Sequence, residues 1–245
     1  MTVYVSGVGI VSSLGQNYAE HKANLFAMKE GITKNTYDNH GWTLEAYTGR
    51  VFDNPKVPDC YQNETRNFKF AFSALQEALD SSGVDLKNYH RVAMCLGTSL
   101  GGKVAGQEAL YHFLDGDHKV EADLLSKTSV HHIADELMAY HDLVGETYVI
   151  STACSASNNA VILGTQLLQD DECDLAICGG CDELSDISLA GFTSLGAISA
   201  NMACQPYSSG KGINLGEGAG FVILVKDKAL AKYGKIIGGV ITSDA

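Results

Sequence analysis

Six short apolar runs, most of them meeting glycine, restrict more than anything else what this chain can fold into. They are "VYVSGVGIV" (3–11), "RVAMCLGTSLGG" (91–102), "TYVIST" (147–152), "CDLAICGGCDE" (173–183), "GEGAGFVILVKD" (216–227) and "KIIGGVITS" (235–243). Runs of four to eight apolar or β-branched residues bounded by glycine are buried strands. The segments between them are helical. "NYAEHKANLFAMKEG" reads as a helix ending at Gly31. "ETRNFKFAFSALQEALDSSG" places Phe68, Phe72, Leu75 and Leu79 at helical spacing and stops at Gly83. Residues 103–116, 122–141 and "CSASNNAVILGTQLLQD" read as further helices, while 33–64, with Pro55 and Pro58, reads as loops around one short strand. Strand and helix in alternation predict one α/β layered domain: a mostly parallel sheet with helices on both faces.

The bulk numbers narrow the function. With 245 residues, 45% of them hydrophobic and only 3 prolines, the chain can bury a large core and is neither disordered nor collagen-like. No stretch reaches the roughly 18 uninterrupted apolar residues of a membrane span. The opening "MTVYVSGVGIVSSLG" lacks a basic leader and reads as a strand. Seven cysteines, an odd number without disulfide spacing, point to a reducing cytoplasm. A net charge of −12 excludes binding nucleic acid by phosphate neutralisation.

Cys154 falls where "TYVIST" ends and a helix with Ala160, Val161, Leu163, Leu167 and Leu168 begins. At a helix start the first N–H groups lack partners and the macrodipole is positive, which favours thiolate and can hold an oxyanion. The small neighbours Ala153, Ser155, Ala156 and Ser157 leave room for a substrate. From position alone, a cysteine acting as a small buried hydrophobe explains the residue equally well.

A resemblance separates the two. "TYVISTACSASNNAVILG", then "DLAICGGCDE", "AGFTSLGAIS" and "GKGINLGEGAGFVILV" in that order, resemble the N-terminal half of β-ketoacyl-[acyl-carrier-protein] synthases, condensing enzymes of the thiolase fold. "VYVSGVGIVSSLG", "ALQEALDSSGVD" and "LGTSLGG" extend the likeness back to residue 3. It implies that Cys154 takes an acyl group from acyl carrier protein as a thioester, its own N–H forming part of the oxyanion hole. Malonyl carrier protein then loses CO2 and its carbanion attacks that thioester. The resemblance further implies that Leu100 ends the acyl pocket, that Phe192 forms a pocket wall, and that Arg66 and Lys69 meet the acidic carrier protein. It implies one half of a thiolase-like α/β layered fold with a mixed, mainly parallel sheet and helices on both faces, a homodimer through an edge strand, and no cofactor.

The same resemblance assigns decarboxylation to two histidines and a lysine of a C-terminal half, absent from these 245 residues. His21, His40, His90, His112, His118, His131, His132 and His141 do not sit in the family's histidine motifs. The half alone is therefore expected not to condense. Gln205-Pro206-Tyr207-Ser208 stands where relatives commonly read Arg-Pro-Phe-Asp, and Gly196 stands where a basic residue is often found. With the acidic balance, these departures imply weak electrostatic docking and a dedicated, less acidic carrier, as expected in polyketide or polyene synthesis. Three other readings compete: a dithiol or metal centre at Cys178 and Cys181, dinucleotide binding at the glycine-rich runs, and a non-catalytic partner subunit of the same fold. The retained Cys154 argues against the last.

Overall fold

The computed structural model describes residues 1–39, 41–116, 122–199, 203–205, 207 and 212–242. Strands β1 (Val3–Ser12), β4 (Val92–Gly97), β5 (Gly145–Ile150), β6 (Leu175–Asp182), β7 (Gly218–Val225) and β8 (Gly234–Ile236) form one sheet in the order β5-β4-β6-β7-β1-β8. Strand β4 pairs in parallel with β5 and β6, while β7 is antiparallel to β6 and β1, and β8 is antiparallel to β1. Strands β1, β4, β5 and β6 thus run one way and β7 and β8 the other, the mixed, mainly parallel sheet that the resemblance implies.

Helices cover both faces. On one face α2 (Arg66–Ser82) is capped by Thr65, whose side chain accepts from the Phe68 N–H, and ends at Gly83 in the left-handed region (φ 74). Its buried Phe68, Phe72, Leu75 and Leu79 join Met94, Ile177, Phe221 and Ile223 of the sheet. Helix and strand approach so closely that a Cβ on Gly7 or Gly9 would lie 2.0 Å from the Ala78 carbonyl or 1.9 Å from that of Ala74. The glycines of "VSGVGIV" are therefore the helix seat. α5 (His132–Tyr140) adds Ile133, Ala134 and Leu137 to this core. On the opposite face, α6 (Ala156–Gln169) buries Ala160, Leu167 and Leu168 against Ala93, Cys95, Ala176 and Cys178. Of the remaining helices, α1 (Tyr18–Phe26) follows β1, α3 (Lys103–Leu114) and α4 (Ala122–Ser126) follow β4, and α7 (Asp186–Ser194) follows β6.

Four local expectations are corrected. Residues 33–64 hold a two-stranded antiparallel hairpin, β2 (Thr33–Asn39) with β3 (Trp42–Thr48), rather than one strand in loops. α1 ends at Phe26, short of Gly31, because Met28 already takes the left-handed conformation (φ 53) and turns the chain. The 122–141 segment is two helices, interrupted where the backbone of Lys127 and Thr128 abuts Gly102. The last run pairs only over Gly234–Ile236, and Gly239 beyond it lies against Ile162 of α6. Among the described residues no helix is long and apolar enough to cross a membrane.

Candidate active site

Parallel pairing aligns Gly97 of β4 with Ile150 of β5 and Gly180 of β6, so the chain leaves all three strands at one end of the sheet. After β5, Ser151 and Thr152 lead into a single 3-10 turn, Ala153–Ser155, continuous with α6. The start of α6 rests directly on the strand ends. A Cβ on Gly97 would meet the Ala156 carbonyl carbon and the Ser157 nitrogen at 2.4 Å, and one on Gly180 would meet the Ser157 hydroxyl at 2.7 Å. Only glycine at these positions lets the turn that carries Cys154 sit on the sheet.

That turn is bent and held. Ala153 adopts φ 51, a left-handed conformation that costs a non-glycine residue about 1–2 kcal/mol. Two side chains, one from the turn itself and one from α6, offset the strain. The Ser155 hydroxyl donates to the Thr152 carbonyl at 2.8 Å, and the Asn159 amide donates to the Thr152 hydroxyl at 2.8 Å. Cys154 is exposed, unlike the small buried hydrophobe that its position alone allows. The reason is topological: β5 is an edge strand, and residues 151–155 are all exposed at its end. Among the described residues, no acceptor takes the Cys154 N–H.

Leu100 and Phe192 both lie half-buried, Leu100 in the turn after β4 and Phe192 on α7 after β6. Topology therefore brings the segments of Cys154, Leu100 and Phe192 to the same end of the sheet. Asp182, the last residue of β6, is not singled out by the sequence and ties the end of β6 to the turn after β4. Its carboxylate accepts from the Thr98 hydroxyl (2.8 Å) and from the Ser99 (3.0 Å) and Leu100 (2.9 Å) N–H groups.

The basic residues behave differently. Arg66 faces the fold: its Nη2 donates to Glu217 at 2.6 Å and to the Val51 carbonyl at 2.7 Å, and its guanidinium lies 5.1 Å from the Phe70 ring. The Glu217 carboxylate is 2% exposed and also accepts from the Val51 and Leu184 N–H groups. Arg66 is thus the counter-ion of a buried acid. Lys69, half-buried, donates to the Gln62 carbonyl at 2.7 Å, within its own neighbourhood. Gly196, φ 64, is a turn glycine after α7.

Glu183 lies beside this pair and is 5% exposed. Burial, and then the charge of Glu217, push its carboxyl up to about 7, against the opposing pull of Arg66 and the Asn67 N–H. A folded-state value raised from 4.5 contributes stability that is fully present below 4.5 and lost as pH rises through about 7. His132 acts in the same sense: its hydrogen bond to Glu64 (3.1 Å) raises its pKa above 6.5, so its contribution fades as pH rises through the folded value. Glu183→Gln is expected to match the parent near pH 4 and to exceed it near pH 8 by on the order of 3 kcal/mol in urea unfolding. Equal stabilities near pH 8 would show that Glu183 is not strained by its burial.

The adjacent histidines His131-His132 are placed by this contact. His132, joined to Glu64 and flanked by Phe68, stands on the α2 side of the sheet, the face opposite α6. His40, His118, Pro206 and Ser208 lie outside the described residues. The Cys-x-x-Cys reading fails on strand geometry. Cys178 and Cys181, three apart on β6, point to opposite faces and join different cores. Burial pushes both thiols well up. Among the described residues, no cluster of His, Cys, Asp and Glu could hold a metal.

The strand order and the two helix-covered faces define a thiolase-like α/β layered fold. The ishigamide ketosynthase/chain length factor structure overlays 97% of this chain with a TM-score of 0.82 at 24% identity, covering 62% of its own chain. Residues 1–229 match the family described as Beta-ketoacyl synthase, N-terminal domain, and the chain belongs to that family. A 3-oxoacyl-[acyl-carrier-protein] synthase 2 of Coxiella burnetii is 27% identical over 263 residues, spanning 99% of this chain and 63% of that protein. The ketosynthase ApeO, solved in complex with its chain length factor ApeC from Xenorhabdus doucetiae, is similar at 26% identity and TM-score 0.79 over 92% of this chain and 58% of that one. The chain thus spans about three-fifths of the length of these relatives.

Proposed function

We propose that this chain is the nucleophile-bearing half of a β-ketoacyl synthase and that Cys154 carries the acyl group. The observation that carries the reading is the held turn at the start of α6, where an exposed cysteine follows a left-handed alanine within the family's matched segment. The Cys154 thiol gives up its proton and attacks the thioester carbonyl of an acyl carrier protein, forming a new C–S bond as the carrier's own C–S bond breaks and its sulfur leaves, taking up that proton. The oxyanion is held in part by the Cys154 N–H. Malonyl carrier protein then releases CO2, and the resulting carbanion attacks the enzyme-bound thioester, forming a C–C bond and returning the thiolate. Leu100 and Phe192 line the acyl pocket in this reading, and two histidines with a lysine, supplied from beyond these residues, promote decarboxylation.

The assembly proposed is a pair of ketosynthase folds joined along β5, whose outer edge has no strand partner among the described residues. A second copy or a chain-length-factor-like relative both suit that edge. The weak basic surface around α2, with Arg66 turned inward, supports a carrier protein recognised by shape more than by charge. Lys69 is the one of the two predicted docking residues left for that contact. Incubation with hexanoyl pantetheine followed by peptide mapping tests the nucleophile. One acyl mass on the Cys154 peptide, removed by hydroxylamine, is expected. Equal labelling of the exposed Cys60 and Cys204 would sink the reading.

A further inference from the structure

We infer that Asp182 is a positioning residue that sets the depth of the acyl pocket by fixing the turn that carries Leu100; this rests on the proposed role of Leu100. The turn is Thr98 to Gly102, between β4 and α3. Its polar groups converge on one carboxylate that is far away in sequence. Asp182 Oδ1 accepts from the Thr98 hydroxyl at 2.8 Å, the Ser99 N–H at 3.0 Å and the Leu100 N–H at 2.9 Å. Its Oδ2 accepts from Ser99 at 3.0 Å. The Thr98 hydroxyl in turn accepts the Gly101 N–H at 2.9 Å, and Gly101 stands in the left-handed region at φ 52. Three successive N–H groups are thereby satisfied, directly or through Thr98, by a single charged side chain. Bonds to an ionised acceptor are roughly twice as strong as neutral ones.

The placement of Asp182 gives these bonds their consequence. It ends β6, which is locked to β4 by parallel pairing up to Gly97 and Gly180. Leu100 lies just past that lock, so its position is set from the neighbouring strand through the carboxylate and not by its own local chain. The same strand end continues through Leu184 into α7, which carries Phe192. One strand terminus therefore holds the turn of Leu100 and leads into the helix that carries Phe192. Glu183, just past the strand, takes no part: the groups it faces are Asn67, Arg66 and Glu217. Loss of the carboxylate would free the turn and let Leu100 withdraw or advance.

The test uses the intact enzyme and the ratio of kcat/KM for dodecanoyl against hexanoyl pantetheine. A merely structural loss lowers both rates together and leaves that ratio alone. Asp182→Ala is expected to move the ratio roughly tenfold, in the range that one methylene of pocket fit is worth. Asp182→Asn keeps an acceptor oxygen but presents a donor to Ser99, so a smaller shift in the same direction is expected. Leu100→Ala serves as the reference. If Leu100→Ala moves the ratio and neither Asp182 variant does, the inference is overturned while the ketosynthase reading stands. If Asp182→Ala fails to fold, the Asn variant decides alone, and an unmoved ratio overturns the inference. A parent enzyme that transfers neither acyl group, or a ratio indifferent to Leu100→Ala, removes the reading on which the inference rests, and it falls too.

Discussion

Replacing Cys154 with alanine in the intact enzyme is expected to lower condensation by on the order of 10³-fold or more and to leave the folded state as stable as the parent. Removing a nucleophile abolishes the covalent route altogether, so that only binding and oxyanion stabilisation remain. The stability half of the prediction follows from exposure. The turn is held by Thr152, Ser155 and Asn159, not by the thiol. Exposed substitutions away from such contacts change stability by within about 0.5 kcal/mol. Cys154→Ser separates nucleophile from shape, since it puts a hydroxyl where the thiol was, and is expected to be nearly as inactive. The measurements are product formation from acyl and malonyl carrier protein, and the urea midpoint of each variant. Undiminished condensation by the alanine variant would remove Cys154 from the chemistry.

What could be read from the sequence follows from the range over which each feature is encoded. α2 was legible because its cap, its apolar spacing and its closing Gly83 all lie within twenty residues. The central strands β4 and β6 were legible because burial on both faces leaves near-continuous apolar runs, whereas the edge strands β5 and β8 have no buried residue. The β2–β3 hairpin was not, since "TKNTYDN" carries one aromatic among polar residues and offers no periodicity. Cys154 could be found from its neighbours, but its exposure could not, because that depends on β5 being an edge strand.

The supporting acids were hidden for the same reason. Asp182 is 82 residues from the Leu100 N–H it receives, and Glu217 is 151 residues from Arg66. An acid directly after an apolar strand is a local signal for such a role, and "GGCDE" contains two. The sequence identifies charge type but not direction, so Arg66, read as a surface contact for an acidic partner, turns inward to Glu217 instead.

That inward turn carries the second large effect. Arg66→Met should keep most of the side-chain volume against Phe70 and remove the charge that faces Glu217. The carboxylate, 2% exposed, would retain the Val51 and Leu184 N–H groups but lose its only cationic partner among the described residues, with Glu183 still beside it. Stranding one member of a buried ion pair costs about 3–5 kcal/mol, a large share of the roughly 5–15 kcal/mol that holds a domain folded. Arg66→Lys restores the charge but not the planar fork that reaches Glu217, Val51 and Asn54 together, and is expected to recover only part of the loss. Arg66→Met combined with Glu217→Gln removes both charges and is expected to regain stability over Arg66→Met alone. Urea unfolding of the three variants distinguishes the two roles of this arginine. A pure docking residue would lose affinity for the carrier protein with its unfolding midpoint unmoved, whereas the buried counter-ion loses the fold first.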